Sequence, residues 1–102
     1  MNTGIPDNDA LIEVYDRHAR RLRTEWSAAE DSAVHSDKFV TFHAPYLPPP
    51  GGHALDIGAG YGAHVHGLES RGLTVVAVEP AAGMRAEAET HYPDSKATWL
   101  DD

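Results

Sequence analysis

The sequence contains no cysteine among its 102 residues. Disulfide frameworks, thiolate metal sites and thiol redox chemistry are therefore excluded, and the composition fits a reducing cytoplasm. Long apolar runs are also missing, since no stretch approaches the ~20 apolar residues of a membrane span. The first nine residues have neither the basic start nor the apolar run of a secretory signal. We therefore expect a soluble, cytoplasmic protein with no membrane partner.

Basic residues are scarce as well. The sequence has eight lysines and arginines and 16 aspartates and glutamates, which gives a formal charge of -8. This charge disfavours binding to a polyphosphate backbone. Four arginines cluster between residues 17 and 23, but acidic residues at helical spacing, such as Glu13 before Arg17 and Asp16 before Arg20, predict a solvated helix face. His64 and His66 are two residues apart and would point to different faces of a helix. We predict neither a nucleic-acid partner nor a metal site.

The chain divides into three regions by composition. Residues 1–47 form a predicted helical preface, with an amphipathic helix over 9–29 after a possible N-cap at Asn8, and a short helix capped by Ser36 or Asp37 that ends before Pro45. On the first helix, Tyr15, His18 and Trp26 are predicted to belong to the apolar face, and the alternative is that they cover a pocket. Residues 48–52, Pro-Pro-Pro-Gly-Gly, read as a linker.

Residues 53–102 alternate between strand and helix patterns. Strands are predicted at 53–57, 73–78 and 96–100, and helices at 63–71 and 81–91. The run Leu-Thr-Val-Val-Ala-Val at 73–78 is typical of a strand covered on both faces, and we expect it to be central. This alternation predicts an α/β fold with a parallel sheet.

A glycine-rich loop follows the first of these strands. Gly58, Gly60 and Gly62 lie where the strand turns into a helix, and glycine permits positive φ and close approach of a ligand to the main chain. The start of the following helix offers N–H groups to an anionic group of a ligand. A turn without any ligand remains the alternative.

Glu79 ends the second strand, nineteen residues after Gly60. An acid at this position is suited to accept hydrogen bonds from the ribose hydroxyls of a nucleoside lying across the strand ends. An ordinary surface glutamate is the alternative reading. The five apolar residues before Glu79 favour the first, because they direct the carboxylate to the ligand edge of the sheet.

Two cofactor classes share this geometry. Gly58, Gly60 and Ala63 also satisfy the dinucleotide pattern G-x-G-x-x-G/A. Asp56 separates the two classes, because a carboxylate two residues before the glycines is unfavourable beside a pyrophosphate but suits a ligand with an ammonium group. S-adenosylmethionine carries such a group and has no phosphate.

Residues 55–62, Leu-Asp-Ile-Gly-Ala-Gly-Tyr-Gly, resemble the first motif of class I S-adenosylmethionine-dependent methyltransferases, and Val78-Glu79-Pro80 resembles the second. The resemblance covers about residues 40–102. It implies a three-layer, Rossmann-like, seven-stranded parallel sheet, of which this chain carries only the first three strands. It also implies that the cofactor is bound by Asp56, Gly58, Ala59, Gly60, Tyr61, Gly62, Glu79 and Pro80, with Asp101 or Asp102 at the adenine amino group.

The family reaction implies methyl transfer to an acceptor, which the acidic composition suggests is a small molecule. No catalytic residue is assigned, because acceptor-binding residues usually lie later in such chains. We expect the chain alone to be inactive, to bind cofactor weakly, and to self-associate through the exposed edge of its first strand. The alternatives are an NAD(P)-type dinucleotide-binding domain and a non-catalytic binding or assembly fragment.

Overall fold

A computed structural model describes residues 8–29 and 32–102, with the backbone alone described for 26–29 and 32–37. The elements in chain order are α1 (Asn8–Ala29), α2 (Ser32–His43), a 3₁₀ helix (Ala44–Tyr46), β1 (His53–Ile57), α3 (Ala63–Ser70), β2 (Thr74–Val78), α4 (Ala82–His91) and β3 (Thr98–Leu100). The predicted packing of the Trp26 side chain lies outside the described residues. None of the helices in the described ranges is long and apolar enough to cross a bilayer.

The two N-terminal helices pack on the helices that follow the first two strands. Helix α1 contacts α4, and α2 contacts α3, where the Phe39 and His64 rings stack with centroids 3.9 Å apart. Helix α1 ends at Ala29 as predicted, but it begins at Asn8, so Asn8 is a helical residue and not a cap that precedes the helix. The predicted start of α2 at Ser36 or Asp37 is wrong, because the helix begins at Ser32. Residues 32–35 include no proline or glycine that would interrupt a helix.

The three strands form one parallel sheet in the order β1-β2-β3, so β2 is central as predicted. Leu55 pairs with Val76, and Val76 pairs with Thr98. The last two strands begin one and two residues later than predicted, at Thr74 and Thr98. The α/β, Rossmann-like fold class with a parallel sheet is confirmed.

The two faces of this sheet differ in what covers them. On one face, Val75 and Ala77 are buried against Val65 and Leu68 of α3, with Trp99 of β3 packed alongside. On the other face, Leu55, Ile57 and Leu100 are 62%, 75% and 43% exposed. The sheet therefore has an apolar core on its helix face and a bare apolar surface opposite, which we call the bare face (Leu55, Ile57, Val76, Val78 and Leu100).

The predicted linker, residues 48–52, contains neither helix nor strand. It is nevertheless tied to the turn before β2, since the Gly51 N–H donates to the Gly72 carbonyl at 2.8 Å and the Thr74 N–H donates to the Gly52 carbonyl at 2.9 Å. The division of the chain into a preface, a linker and a cofactor-binding region stays a prediction.

Candidate functional site

The glycine loop is anchored to the end of the neighbouring strand. The Gly58 and Ala59 N–H groups both donate to the Val78 carbonyl, at 2.8 and 3.0 Å. Gly58, Gly60 and Gly62 have φ values of 74°, 59° and 92°, which side chains with a Cβ rarely adopt. Glycine at these three positions is thus required by the backbone, as the sequence predicted.

The loop has an open side and a packed side. A Cβ on Gly58 or Gly60 would meet nothing within 4 Å, whereas one on Gly62 would lie 3.3 Å from the Trp99 ring. The Tyr61 side chain is buried beside Ala81 in the core. Of the predicted loop residues, Gly58 and Gly60 therefore face open space, while Tyr61 and Gly62 pack into the protein.

Glu79 holds the loop and the next helix together. Its side chain is buried, and its carboxylate accepts one hydrogen bond from the Gly60 N–H at 2.8 Å and another from the Ala81 N–H at 2.9 Å. The Glu79 N–H donates to the Leu100 carbonyl at 2.9 Å, which fixes the residue to β3 as well. Glu79 is thus a structural support of the loop, a role that its sequence position alone did not predict.

A cleft of about 340 Å³ opens beside Glu79. This volume is within the range of small-molecule sites, about 300–1,000 Å³. One wall comes from the strand ends and α4, and the other from the first two turns of α1. The lining residues are Asn8, Leu11, Ile12, Tyr15, Gly58, Gly60, Glu79, Pro80, Ala81 and Met84, among which Glu79 alone is charged. Arg85 lies nearby, but its guanidinium donates to the Glu79 carbonyl at 2.5 Å, and the residue lines a different groove.

Asp56 lies near the carboxyl end of β1, and one of its carboxylate oxygens lacks a hydrogen-bond partner. Its Oδ2 atom is buried and has no hydrogen-bond partner. Burial first, and the nearby Glu79 carboxylate second, raise the pKa of Asp56 above its ordinary value. Both effects disfavour the charged form, and a cationic or donor group of a ligand would relieve both.

The remaining predicted residues differ in their position relative to this cleft, and Asp56 is not among the residues that line it. Pro80 lines it, whereas Ala59 is half-buried against the core of the helix face. Asp101 and Asp102 follow β3 and are exposed at the same edge of the sheet, but neither lines the cleft. In the described part of the chain, no group of three or more histidine and acidic side chains is arranged to hold a metal ion.

Sequence reasoning missed most of the α1 wall. Tyr15 was considered as a possible cover for a pocket, but Asn8, Leu11 and Ile12 were not, since helical periodicity does not show what a helix face packs against. The predicted Glu13–Arg17 pair is present. Asp16 instead accepts a hydrogen bond from the Gly83 N–H, and the side chain of Arg23 pairs with Glu87.

A second groove, of about 520 Å³, runs between α3 and α4. Its lining includes Gly62, Arg85 and Trp99 but neither Gly58 nor Gly60. In open α/β sheets, ligands bind outside the carboxyl ends of the strands. The smaller cleft is at that position and is therefore the candidate site.

An open parallel sheet with a glycine loop and an acid at its strand ends defines a Rossmann-like class of fold. Within that class, residues 55–101 match the family described as "Methyltransferase domain". This segment runs from β1 to just past β3. The predicted resemblance to methyltransferases is thereby confirmed for the matched segment.

The chain is also similar to a solved structure, that of a TehB-like SAM-dependent methyltransferase from Corynebacterium glutamicum. The two share 24% sequence identity with a TM-score of 0.55, and the similarity covers 91% of this chain and 45% of that chain. This likeness supports the fold. The chain spans less than half the length of that methyltransferase. No curated protein matches the sequence.

Proposed function

We propose that this chain is the S-adenosylmethionine-binding portion of a methyltransferase that acts on a small-molecule acceptor. The match over residues 55–101 supports methyl transfer in general. The formal charge of -8 supports a small acceptor over a nucleic acid. A cytoplasmic location, expected from the composition, is part of the same proposal.

The observation that carries the proposal is the buried, unpartnered Oδ2 of Asp56 beside the glycine loop. A buried acceptor without a partner costs free energy, and a donor that reaches it recovers that cost. The ammonium group of S-adenosylmethionine is such a donor, acting directly or through a water molecule. It would also offset the repulsion between the Asp56 and Glu79 carboxylates, which contributes to the raised pKa of Asp56.

Glu79 is compatible with the ribose role that the resemblance implies. Each oxygen of its carboxylate already accepts one backbone hydrogen bond, but a carboxylate has about four acceptor sites in all. The residue also lines the cleft. Ribose hydroxyls approaching from the cleft would therefore use the remaining lone pairs without disturbing the loop.

The chain's own residues would bind and orient the cofactor. When bound, S-adenosylmethionine supplies a sulfonium methyl group for in-line attack by the acceptor. Gly58 and Gly60 let the ligand approach the backbone, Asp56 and Glu79 fix its two ends, and Met84 and Pro80 exclude water from one side of the cleft. Such positioning accounts for a large part of catalysis in reactions of this type, and it requires no nucleophile from the protein.

The runner-up is a dinucleotide-binding domain, because Gly58, Gly60 and Ala63 fit its pattern. A pyrophosphate would add two negative charges near Asp56 and Glu79, with no cation among the residues that line the cleft. The electrostatic energy of that arrangement is unfavourable. The same argument disfavours NADP more strongly than NAD.

Titration of the 102-residue chain with S-adenosylhomocysteine, NAD and NADP separates these functions. Saturation-transfer NMR or calorimetry at high protein concentration detects weak binding. We expect S-adenosylhomocysteine to bind and the two dinucleotides not to bind. Preferential binding of NAD would support the dinucleotide function, and binding of none of the three would support a non-catalytic module.

A further inference from the structure

Helix α1 lies outside the segment that matches the methyltransferase domain, residues 55–101, yet it forms one wall of the candidate cleft. Leu11 and Tyr15 line the cleft opposite Gly58 and Gly60. Both side chains are substantially exposed, at 46% and 40%. These are large apolar surfaces that a ligand in the cleft would bury.

The position of α1 is fixed by close contacts with α4. A Cβ on Gly83 would lie 2.3 Å from the Asp16 carbonyl oxygen, so only glycine permits this approach of the two helices. The Gly83 N–H donates to the Asp16 carboxylate, and Ala19 is buried in the same cluster as Met84. The contact lies one residue from Tyr15 and so supports the wall directly.

An ion pair reinforces this contact two turns further along. Arg23 Nε lies 2.6 Å from Glu87 Oε2, and the two side chains are only 22% and 16% exposed. Salt screens this pair less than it screens the exposed Glu13–Arg17 pair on the same helix, whose side chains are both 65% exposed. The shielded pair fixes the distance between α1 and α4, and hence the width of the cleft.

We propose that α1 determines which ligands the cleft accepts: Leu11 and Tyr15 contact the carbon-rich part of the bound nucleoside cofactor, and Gly83, Arg23 and Glu87 position them. This inference rests on the proposed function, since it assumes that the cofactor occupies this cleft. The wall offers apolar carbon, the Asn8 amide and one phenol, but no cationic side chain. It therefore selects a nucleoside cofactor without phosphate groups.

The test compares two exposed apolar residues of α1. Leu11→Ala removes a side chain that lines the cleft, and Val14→Ala removes one that is 52% exposed and does not. We expect Leu11→Ala to weaken S-adenosylhomocysteine binding about tenfold, by loss of buried apolar contact, and Val14→Ala to leave it within about twofold. Tyr15→Ser is a second wall variant with the same expectation. Equal affinities for the parent, Leu11→Ala and Tyr15→Ser would overturn the proposal.

The positioning role needs a readout that loss of stability alone would not give. Arg23→Gln should weaken binding, and the charge-reversed pair Arg23→Glu with Glu87→Arg should restore it, while Arg17→Gln, on the exposed pair, should have no effect. Failure of the reversed pair to restore affinity, in a protein with parental helical content, would contradict that role.

These outcomes are distinct from failure of the proposed function. If the parent binds S-adenosylhomocysteine, Gly60→Val abolishes binding, and the wall variants bind like the parent, only the role of α1 is lost. If the parent does not bind, or if Gly60→Val binds equally well, the cofactor site itself is wrong and the inference about α1 falls with it.

Discussion

The strand ends beside the cleft and the bare face of the sheet each leave a group without its preferred surroundings. One region lacks a hydrogen-bond partner, and the other lacks apolar packing. Beside the cleft the unmet group is polar, the buried Oδ2 of Asp56. On the bare face the unmet group is apolar, with Ile57 75% exposed at the end of β1. A single unmet acceptor is satisfied by one group of a small molecule, whereas exposed apolar area is covered by another polypeptide surface.

The difference teaches that neighbouring residues of one strand serve separate tasks. Asp56 and Ile57 are adjacent in β1, and the alternation of the strand sends their side chains to opposite faces of the sheet. We therefore expect variants of the cleft to change ligand binding without changing association, and variants of the bare face to do the reverse.

The largest effect is expected at Gly60. Gly60→Val should abolish S-adenosylhomocysteine binding, because the added side chain would occupy the open space that the ligand needs. The φ of Gly60 is also +59°, which a residue with a Cβ rarely adopts. Helical content measured by circular dichroism should change little. Gly51→Val is the matched control, since Gly51 also has a positive φ of +92° and open space around its Cβ but lies at the opposite end of β1. Equal loss of binding in both variants would show that backbone strain, and not obstruction of the cleft, is responsible.

The next effect concerns the bare face. We expect the chain to self-associate, because β1 is an edge strand in the part of the chain that the structure describes and Leu55 and Ile57 are exposed. Both features favour contact with another copy. Ile57→Lys should shift the protein toward monomer in size-exclusion chromatography with light scattering. Thr74→Lys, which adds the same charge on this face at an exposed polar position, should shift it much less. A parent chain that is already monodisperse and monomeric would refute the expectation.

A moderate effect is expected at Glu79. Glu79→Ala should weaken S-adenosylhomocysteine binding by about 1–3 kcal/mol, through loss of a charged acceptor for ribose hydroxyls. It should also lower the melting temperature, since the Gly60 and Ala81 N–H groups lose their partner. Because loop damage alone could reduce affinity, binding of S-adenosylhomocysteine should be compared with binding of its 2′,3′-dideoxyribose analogue. Equal losses for both ligands would remove the ribose role and leave only the structural one.

Much of the fold could be predicted from the sequence, because the patterns that specify helices and strands lie within short segments. Apolar periodicity predicted α1, and the β-branched run at 73–78 predicted the central strand, one residue longer than it is. The glycine loop could be recognised because positive φ selects glycine. Glu79 could be recognised because an acid at the end of the second strand lies at a characteristic spacing from that loop.

The rest depended on contacts between distant residues. The Asp16–Gly83 and Arg23–Glu87 contacts join positions 67 and 64 residues apart, and no local pattern in either helix specifies them. Likewise, the motif around Tyr61 did not reveal that its side chain packs into the core. The α1 wall of the cleft was missed for the same reason.

The smallest effect is expected at Asp56, where one substitution should raise the stability of the fold and weaken ligand binding. Because the folded-state pKa of Asp56 is raised above its ordinary value of 3.8, this group's contribution to stability is fully present below that value and is lost as pH rises through the raised pKa. Asp56→Asn should therefore be more stable than the parent at neutral pH, and the difference should shrink as pH falls toward 3.8. Thermal melts across that range measure it.

Binding should change in the other direction. Asp56→Asn should weaken the binding of S-adenosylhomocysteine by about 1 kcal/mol, because the ammonium group loses a charged partner. The binding of adenosine, which lacks that group, should change much less. Equal losses for the two ligands would mean that Asp56 does not meet the ammonium group. A gain in stability together with a selective loss of affinity would show that the buried carboxylate is kept at a cost to the fold because the ligand needs it.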